Sequence, residues 1–340
     1  MAVLHPQLKP LRDLRSFLSV ISLFKLSFGR ARNCSVLWPF QAQTSRTQPS
    51  NSKFIFGPDV CFRFLILPPP GWGLRYLDYK SQEFGVAAVL SGDQAMIKSC
   101  MTGDPHMDLA KVSGAAPENA TKKTHGPIRE LYKTCNFGTL YGQGIWGLAR
   151  QIKGTPIEAR ELQDHHRKQY REYWAWIEKT LNLATYTQQM QTTFGWLLKI
   201  GENYNLRAMQ NWSVQSNAGD MLRIAINLAV RAGVGVCAPV HDAVLIVAPL
   251  DRLDRYTDIM NECMQEASRL VLNGFTLGVE VEIEAKCPNR YVDERGVNMW
   301  AIVMGALAKA ERNKLGVHLW TKVRKCLTNS ASTNAIGHAS

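Results

Sequence analysis

The spacing of apolar residues changes character several times along this 340-residue chain. Residues 74–79 (LRYLDY), 234–238 (VGVCA), 243–249 (AVLIVAP) and 278–286 (GVEVEIEAK) are short apolar or alternating runs, the pattern of strands. The second and third are joined through PVHD, which predicts a hairpin and so antiparallel pairing for at least two strands. Elsewhere the period is helical. The spacing predicts a helix over 11–29 ending at Gly29, a short buried helix over 81–93, and a mostly helical stretch over 144–190 broken at KGTP. A long helix is expected from about Asn205 to Arg231, stopped by Gly233, and another over 251–273. Four strands with helices between and around them predict the α+β class. No internal repeat is present, and the last 40 residues carry no functional signal.

Charge adds a direction to this outline. The chain holds 40 Lys and Arg against 28 Asp and Glu, a net charge of +12, which favours a polyanionic partner such as nucleic acid. A basic surface without function would give the same number. The eight cysteines are scattered with no C-x-x-C pair, so neither a disulfide framework nor a structural zinc site is implied, and a reducing, cytoplasmic location is expected. No run approaches the ~20 apolar residues of a membrane span, and FLSVISLF is ended by Lys25. Residues 1–50 contain one acidic residue, Asp13, a composition that also suits an organelle transit peptide.

The helix expected over 128–141 orders its side chains by chemistry. Pro127 suits a first helical turn and Gly142 a helix end. Between them Arg129, Lys133, Phe137 and Tyr141 recur every four residues, two cations and then two aromatics. Steps of four drift slowly around a helix, so the four form one stripe ~18 Å long, enough to hold a nucleoside triphosphate lengthwise. Arg129 and Lys133, toward the N-terminal end, would grip phosphates; Phe137 and Tyr141 would lie against sugar and base. An ordinary amphipathic helix, aromatics inward and cations solvated, carries the same spacing.

This R-x3-K-x3-F-x3-Y segment resembles motif B of the family A DNA polymerases, whose fingers helix binds the incoming deoxynucleotide. Phosphoryl transfer from a triphosphate commonly uses two divalent ions held by carboxylates, and two segments supply them in order around the helix. Asp78, ending the strand in LRYLDYKSQEFG, resembles motif A; Asp242, in PVHDAVLIV, resembles motif C, with His241 before it among the family's DNA contacts. Each also has a plainer use, Asp78 as a helix cap and His241-Asp242 as a hairpin turn. The resemblance implies two Mg²⁺ ions on Asp78 and Asp242, with Lys133 also a candidate to protonate the leaving group. It makes Glu83 the residue that crowds the ribose 2′-carbon, which favours deoxynucleotides over ribonucleotides. Ala243 stands where the family usually has Glu, and Gly85 where it has Arg.

The same resemblance extends to DNA contacts. Arg207, Asn211 and Gln215 are spaced i, i+4, i+8 on one helix face, where amides suit the minor-groove acceptors that occur at every base pair. TFGWLLK (193–199) fits the hairpin that carries D-G-R-R in the family, so some cation contacts are expected to be missing. TSRTQPSN (44–51) resembles the loop in which Arg46 and Asn51 meet the primer terminus, with Ser45 in place of a glycine. His106 falls where a family histidine touches the triphosphate. With that loop assigned, the helix at 11–29 becomes the base of a thumb rather than a transit peptide.

These assignments imply a right-hand architecture: a thumb remnant and primer loop at 1–52, an antiparallel palm from 53–100 and 201–300, helical fingers at 101–200, and a tail of unknown role at 301–340. The expected activity is template-directed addition of deoxynucleotides to a primer 3′-hydroxyl by a monomer without an exonuclease domain or membrane attachment. Its partners would be primer-template DNA and deoxynucleoside triphosphates. The alternative is a weak or inactive polymerase-like fragment that binds nucleic acid without extending it, to which Ala243 and the short N-terminal region point.

Overall fold

The computed structural model describes residues 35–49, 53–201 and 204–312, with isolated pieces nearer the start (6–8, 11, 12, 15, 28, 29, 32 and 33). Asn51 and residues 313–340 lie outside the described residues, as does most of the helix expected over 11–29. Where that helix was expected to end, Phe28–Gly29 instead pairs with Arg32–Asn33 as a short antiparallel ladder.

In chain order, β1 (Leu37–Trp38) and β2 (Gln48–Pro49) form a small ladder, and β3 (Trp72–Tyr79) enters the main sheet. Seven helices follow: α1 (Gln82–Ser91), α2 (Gln94–Met101), α3 (Pro105–Val112), α4 (Gly126–Leu140), α5 (Ile145–Ile152), α6 (Pro156–Gln169) and α7 (Arg171–Thr187). A hairpin of β4 (Gln189–Gln191) and β5 (Leu197–Lys199) leads into α8 (Leu206–Arg231). Then come β6 (Gly235–Val240), β7 (Ala243–Pro249), α9 (Leu253–Val271), β8 (Val279–Lys286) and α10 (Val297–Arg312). The four strands expected from the sequence form one sheet in the order β8-β3-β7-β6, antiparallel throughout.

Alternation along the strands sorts residues between two cores. Leu77 and Tyr79 of β3 and Val244 and Ile246 of β7 face the large core, which α1, α8 and α9 share with the sheet. Leu74, Tyr76, Ala243 and Leu245 face the opposite way, toward Phe54, Phe56 and Tyr291. Asp78 falls on this second face by the same alternation, at the end where the apolar cover stops.

Caps set the helical layer. Asp93 accepts from Met96 N at 2.9 Å to start α2 and from Tyr173 N at 3.0 Å, so one carboxylate fixes the beginnings of α2 and α7 together. Thr155 and Glu158 form a reciprocal capping box at the start of α6, just after the expected break at KGTP. The chain breaks again at Tyr170, which the periodicity did not signal. Tyr170 is fully buried, with Phe84 and His166 packed edge-on against its ring at 5.6 and 4.9 Å. No helix among the described residues is long and apolar enough to cross a membrane.

Phe84 joins the sheet to the helical layer at zero exposure. Phe84→Ala is expected to lower unfolding free energy by about 3–5 kcal/mol. Urea unfolding of the two proteins measures it as a shift of midpoint at unchanged slope.

Candidate active site

The sheet register brings the two aspartates together. Asp78, near the end of β3, lies opposite Ala243 on β7, and Asp242 is the next residue, in the two-residue turn that closes Val240 onto Ala243. His241 takes the first turn position at φ +57°, a left-handed conformation a non-glycine side chain adopts at a cost of about 1–3 kcal/mol. His241 is exposed there and Asp242 half-buried. On the other side of β3, Glu280 of β8 lies directly opposite Asp78, and the register then slips at Glu282, the extra residue of a β-bulge. Both glutamates line the same cavity as the two aspartates.

Three of these carboxylates, Asp78, Asp242 and Glu282, resist ionisation. Burial pushes the Asp78 carboxyl up to about 8, reinforced by the negative charges of Asp242 and Glu282. Asp242 is also raised, chiefly by burial, with Glu83 adding and its own backbone amide and Arg46 opposing. Glu282 moves in the same direction, again mainly through burial and then through Glu280. Asp78 Oδ1 is buried and has no hydrogen-bond partner among the described residues.

The opposite wall of this cavity, about 640 Å³, is α4 with its stripe. Arg129, Lys133, Phe137 and Tyr141 all line it, as the four-residue spacing predicted. Arg129 is fixed by Asp104 at the start of α3 (Nε to Oδ2, 2.6 Å), while Lys133 forms no ion pair among the described residues. His106 of α3 is buried beside Phe137, ring centres 5.3 Å apart. Burial and the charge of Arg129 hold its pKa down at about 4, so the ring is neutral near pH 7. Its Nδ1 accepts from Asn136 Nδ2 at 3.0 Å, which leaves the proton on Nε2. The cavity thus has an acidic floor and a basic, aromatic wall.

Glu83 links the floor to both ends of the site. Its Oε2 accepts from the Tyr141 hydroxyl at 2.6 Å and its Oε1 from Arg46 at 2.7 Å. Burial first, and then this bond to Glu83, push the Tyr141 phenol up to about 12.

The α8 residues stand apart from this group. Arg207 is exposed, but Asn211 is buried, with neither amide atom partnered among the described residues, and Gln215 is half-buried beside the Tyr141 hydroxyl. The three do not share one open polar face, because α8 is the central scaffold and packs against α1, α7, α9 and β6. Gln210, missed in the sequence, ties α8 to the end of α4 through the Thr139 carbonyl at 3.1 Å. Glu280 and Glu282 were also missed. Alternation in VEVEIE marks them as polar-face residues, and nothing in it marks the bulge that brings Glu282 round.

An antiparallel sheet whose carboxylate edge faces a cation- and aromatic-bearing helix is the palm-and-fingers arrangement of right-hand polymerases. Residues 58–293 match the family model of DNA polymerase family A, and the chain belongs to that family. Among similar proteins, a thermostable DNA polymerase I of Thermus thermophilus is 28% identical over 240 residues, 66% of this chain and 28% of that protein. The DNA polymerase of Mycobacterium phage D29 is 30% identical over 220 residues, covering 63% and 35%. The chain therefore spans about a third or less of these relatives. A solved structure described as the POL domain of Pol1 from M. smegmatis, in complex with DNA primer-template and dNTP, has the same fold. Its TM-score is 0.70 at 21% identity, covering 79% of this chain and 51% of that one.

Asp78 binds its proton more tightly in the folded chain (about 8) than in the unfolded chain, where carboxyls titrate near ~4. Its contribution to stability is therefore full at low pH and is lost as pH rises from ~4 through about 8. In chelator, the melting temperature is expected to fall between pH 6 and ~8.5, and Asp78→Asn to flatten that slope. Thermal melts of both proteins across this range provide the check.

Proposed function

We propose that this chain is a template-directed DNA polymerase that adds deoxynucleotides to a primer 3′-hydroxyl. The observation that carries the reading is the meeting of Asp78 and Asp242, from adjacent strands, across one cavity from the Arg129–Tyr141 stripe. On this reading the palm comprises 53–100 and 201–300 and the fingers 101–200, with a thumb region and primer loop assigned to 1–52.

The aspartate pair suits divalent cations. Both carboxyls are raised by burial, and Asp78 Oδ1 is buried without a partner, two costs that a bound cation would remove. Among the described residues no three His, Cys, Asp or Glu side chains converge on one metal position. That suits Mg²⁺, which commonly takes one or two carboxylates and completes its shell with water and substrate phosphates. Asp78 and Asp242 would hold two such ions, and when bound these supply charge neutralisation at the reacting phosphate and the 3′-oxygen.

The chain's own residues do the rest. Arg129 and Lys133 bind the triphosphate, and the proton on His106 Nε2 adds a neutral donor to it. Phe137 and Tyr141 support sugar and base, while Glu83, held by Tyr141, occupies the space that a ribose 2′-hydroxyl would need. The primer 3′-oxygen bonds to the α-phosphorus as the bond to pyrophosphate breaks. The 3′-hydroxyl gives its proton to water, and Lys133, which lines the cavity, would give one to the departing pyrophosphate. Arg46, Arg207, Asn211, Gln215 and His241 contact the primer-template duplex; the orphaned amide of Asn211 is the kind of buried group that a base edge satisfies. Asn51 would join them from outside the described residues.

The second reading, a fragment that binds nucleic acid without extending it, is favoured by Ala243, which offers no carboxylate beside Asp242 and is fully buried.

Primer extension with Mg²⁺ separates the two. The unmutated protein is expected to extend, and Asp242→Ala to lose about 10³-fold or more in rate with DNA binding retained. Duplex binding without extension by the unmutated protein would leave the second reading standing. Ribonucleotides should be poor substrates, improving relative to deoxynucleotides in Glu83→Ala; unchanged discrimination in that variant would remove the role given to Glu83.

A further inference from the structure

The loop that carries Arg46 is held more firmly than a polar connection between short strands requires. Ser45 is fully buried and sits at φ +56°, a left-handed conformation that a serine keeps only when its surroundings impose it. Arg223 of α8 imposes it. Its guanidinium donates to the Ser45 carbonyl oxygen and, at 3.1 Å, to Ser45 Oγ, while pairing with Asp220 one turn earlier. The same guanidinium lies over the Phe40 ring at 4.4 Å. Asp220 is held from a third side by Thr192 Oγ1 at 2.7 Å, from the end of the β4–β5 hairpin.

A second grip lies two residues earlier. The Gln43 carbonyl accepts two indole N–H groups, from Trp196 at 3.0 Å and from Trp212 at 2.8 Å, and Trp196 also stacks on Phe40 at 5.3 Å. Trp196 stands in the hairpin where the family commonly carries D-G-R-R and where cation contacts were expected to be missing. Here the hairpin holds a loop. Gly219 makes the approach possible, since a Cβ there would come within 3.2 Å of Ser45 Oγ and 3.4 Å of Arg46 Cγ.

We propose that Arg223, supported by the Trp196 indole, is a positioning residue for Arg46. By fixing the left-handed turn at Ser45 against α8, it sets the direction in which Arg46 leaves the loop toward the aspartate cavity. Arg46 lines that cavity and rests on Glu83 at 2.7 Å. The guanidinium of Arg223 is spent on Asp220, the Ser45 carbonyl and Phe40, which makes it a brace for the loop rather than a cation offered to DNA. The inference rests on the reading of Arg46 as a contact to the primer terminus.

The test compares wild type, Arg223→Ala, Arg46→Ala, the double variant, and Arg223→Ala combined with Ser45→Gly. Each is assayed for primer extension well below its melting temperature. Arg223→Ala is expected to lose about tenfold in kcat/KM for primer-template, with KM for the nucleotide within about twofold of wild type. The double variant should be no worse than Arg46→Ala, the non-additivity of residues acting as one unit. Ser45→Gly should recover most of the loss, because glycine holds the left-handed turn without the brace. Trp196→Phe, which keeps the ring stack and deletes one donor, gives the same pattern more weakly and serves if Arg223→Ala does not fold. Wild-type kinetics in Arg223→Ala at a lowered melting temperature, or a loss fully additive with Arg46→Ala, would overturn the inference.

If the wild-type protein does not extend primers, the polymerase reading fails on its own. The same five proteins are then compared by affinity for primer-template duplex, with the same pattern expected. Equal affinity of wild type and Arg223→Ala, or no duplex binding by any of them, would overturn the inference there.

Discussion

The structure is organised around a repulsion. Register places Asp78 and the turn residue Asp242 together at the uncovered end of a sheet face, with Glu280 and Glu282 beside them, and burial makes the charges of Asp78, Asp242 and Glu282 harder to keep. A fold does not gather carboxylates this way for its own stability. The surrounding elements are arranged around that cost. The turn at His241 holds a left-handed backbone, the bulge at Glu282 adds another acid, and the cations of α4 face the cluster across an open cavity without closing on it. Among the described residues Lys133 is left without an ion pair, although seven acids line the same cavity, Glu83 included.

Division of labour among the cations follows from their partners. Arg129 is anchored by Asp104 and thereby ties α4 to α3, so its direction is set before any ligand arrives. Lys133, one turn further along, has no such anchor among the described residues. The neutral His106, close enough to feel both, is fixed through Asn136, and a third positive charge there would have repelled them. The gradient along α4 from anchored cation to a cation unpaired among the described residues to aromatic ring is thus set by contacts outside the helix as well as by its spacing.

What was legible in the sequence was whatever depends on local period or on a turn. The four-residue stripe of α4, the four strands and the Val240–Ala243 hairpin could be read because each is specified within a short window. Long-range consequences could not. Nothing near Asn211 says that α8 would be enclosed on several sides, which turned an expected polar face into a buried one. The bulge at Glu282 depends on pairing with β3 some two hundred positions away. Ser45 stood out only as a serine where a glycine was expected, and its partner Arg223 lies 178 positions on. The physical reason for the glycine, a positive φ, became visible only with the backbone.

Glu83 spends both of its oxygens inside the protein, one on a guanidinium from the loop before β2 and one on the phenol at the end of α4. These groups arrive from opposite ends of the site, and neither can be drawn off without altering the charge felt by the other. The two ends therefore share a single acid, and a change at one is transmitted to the other through one side chain without any helix having to move.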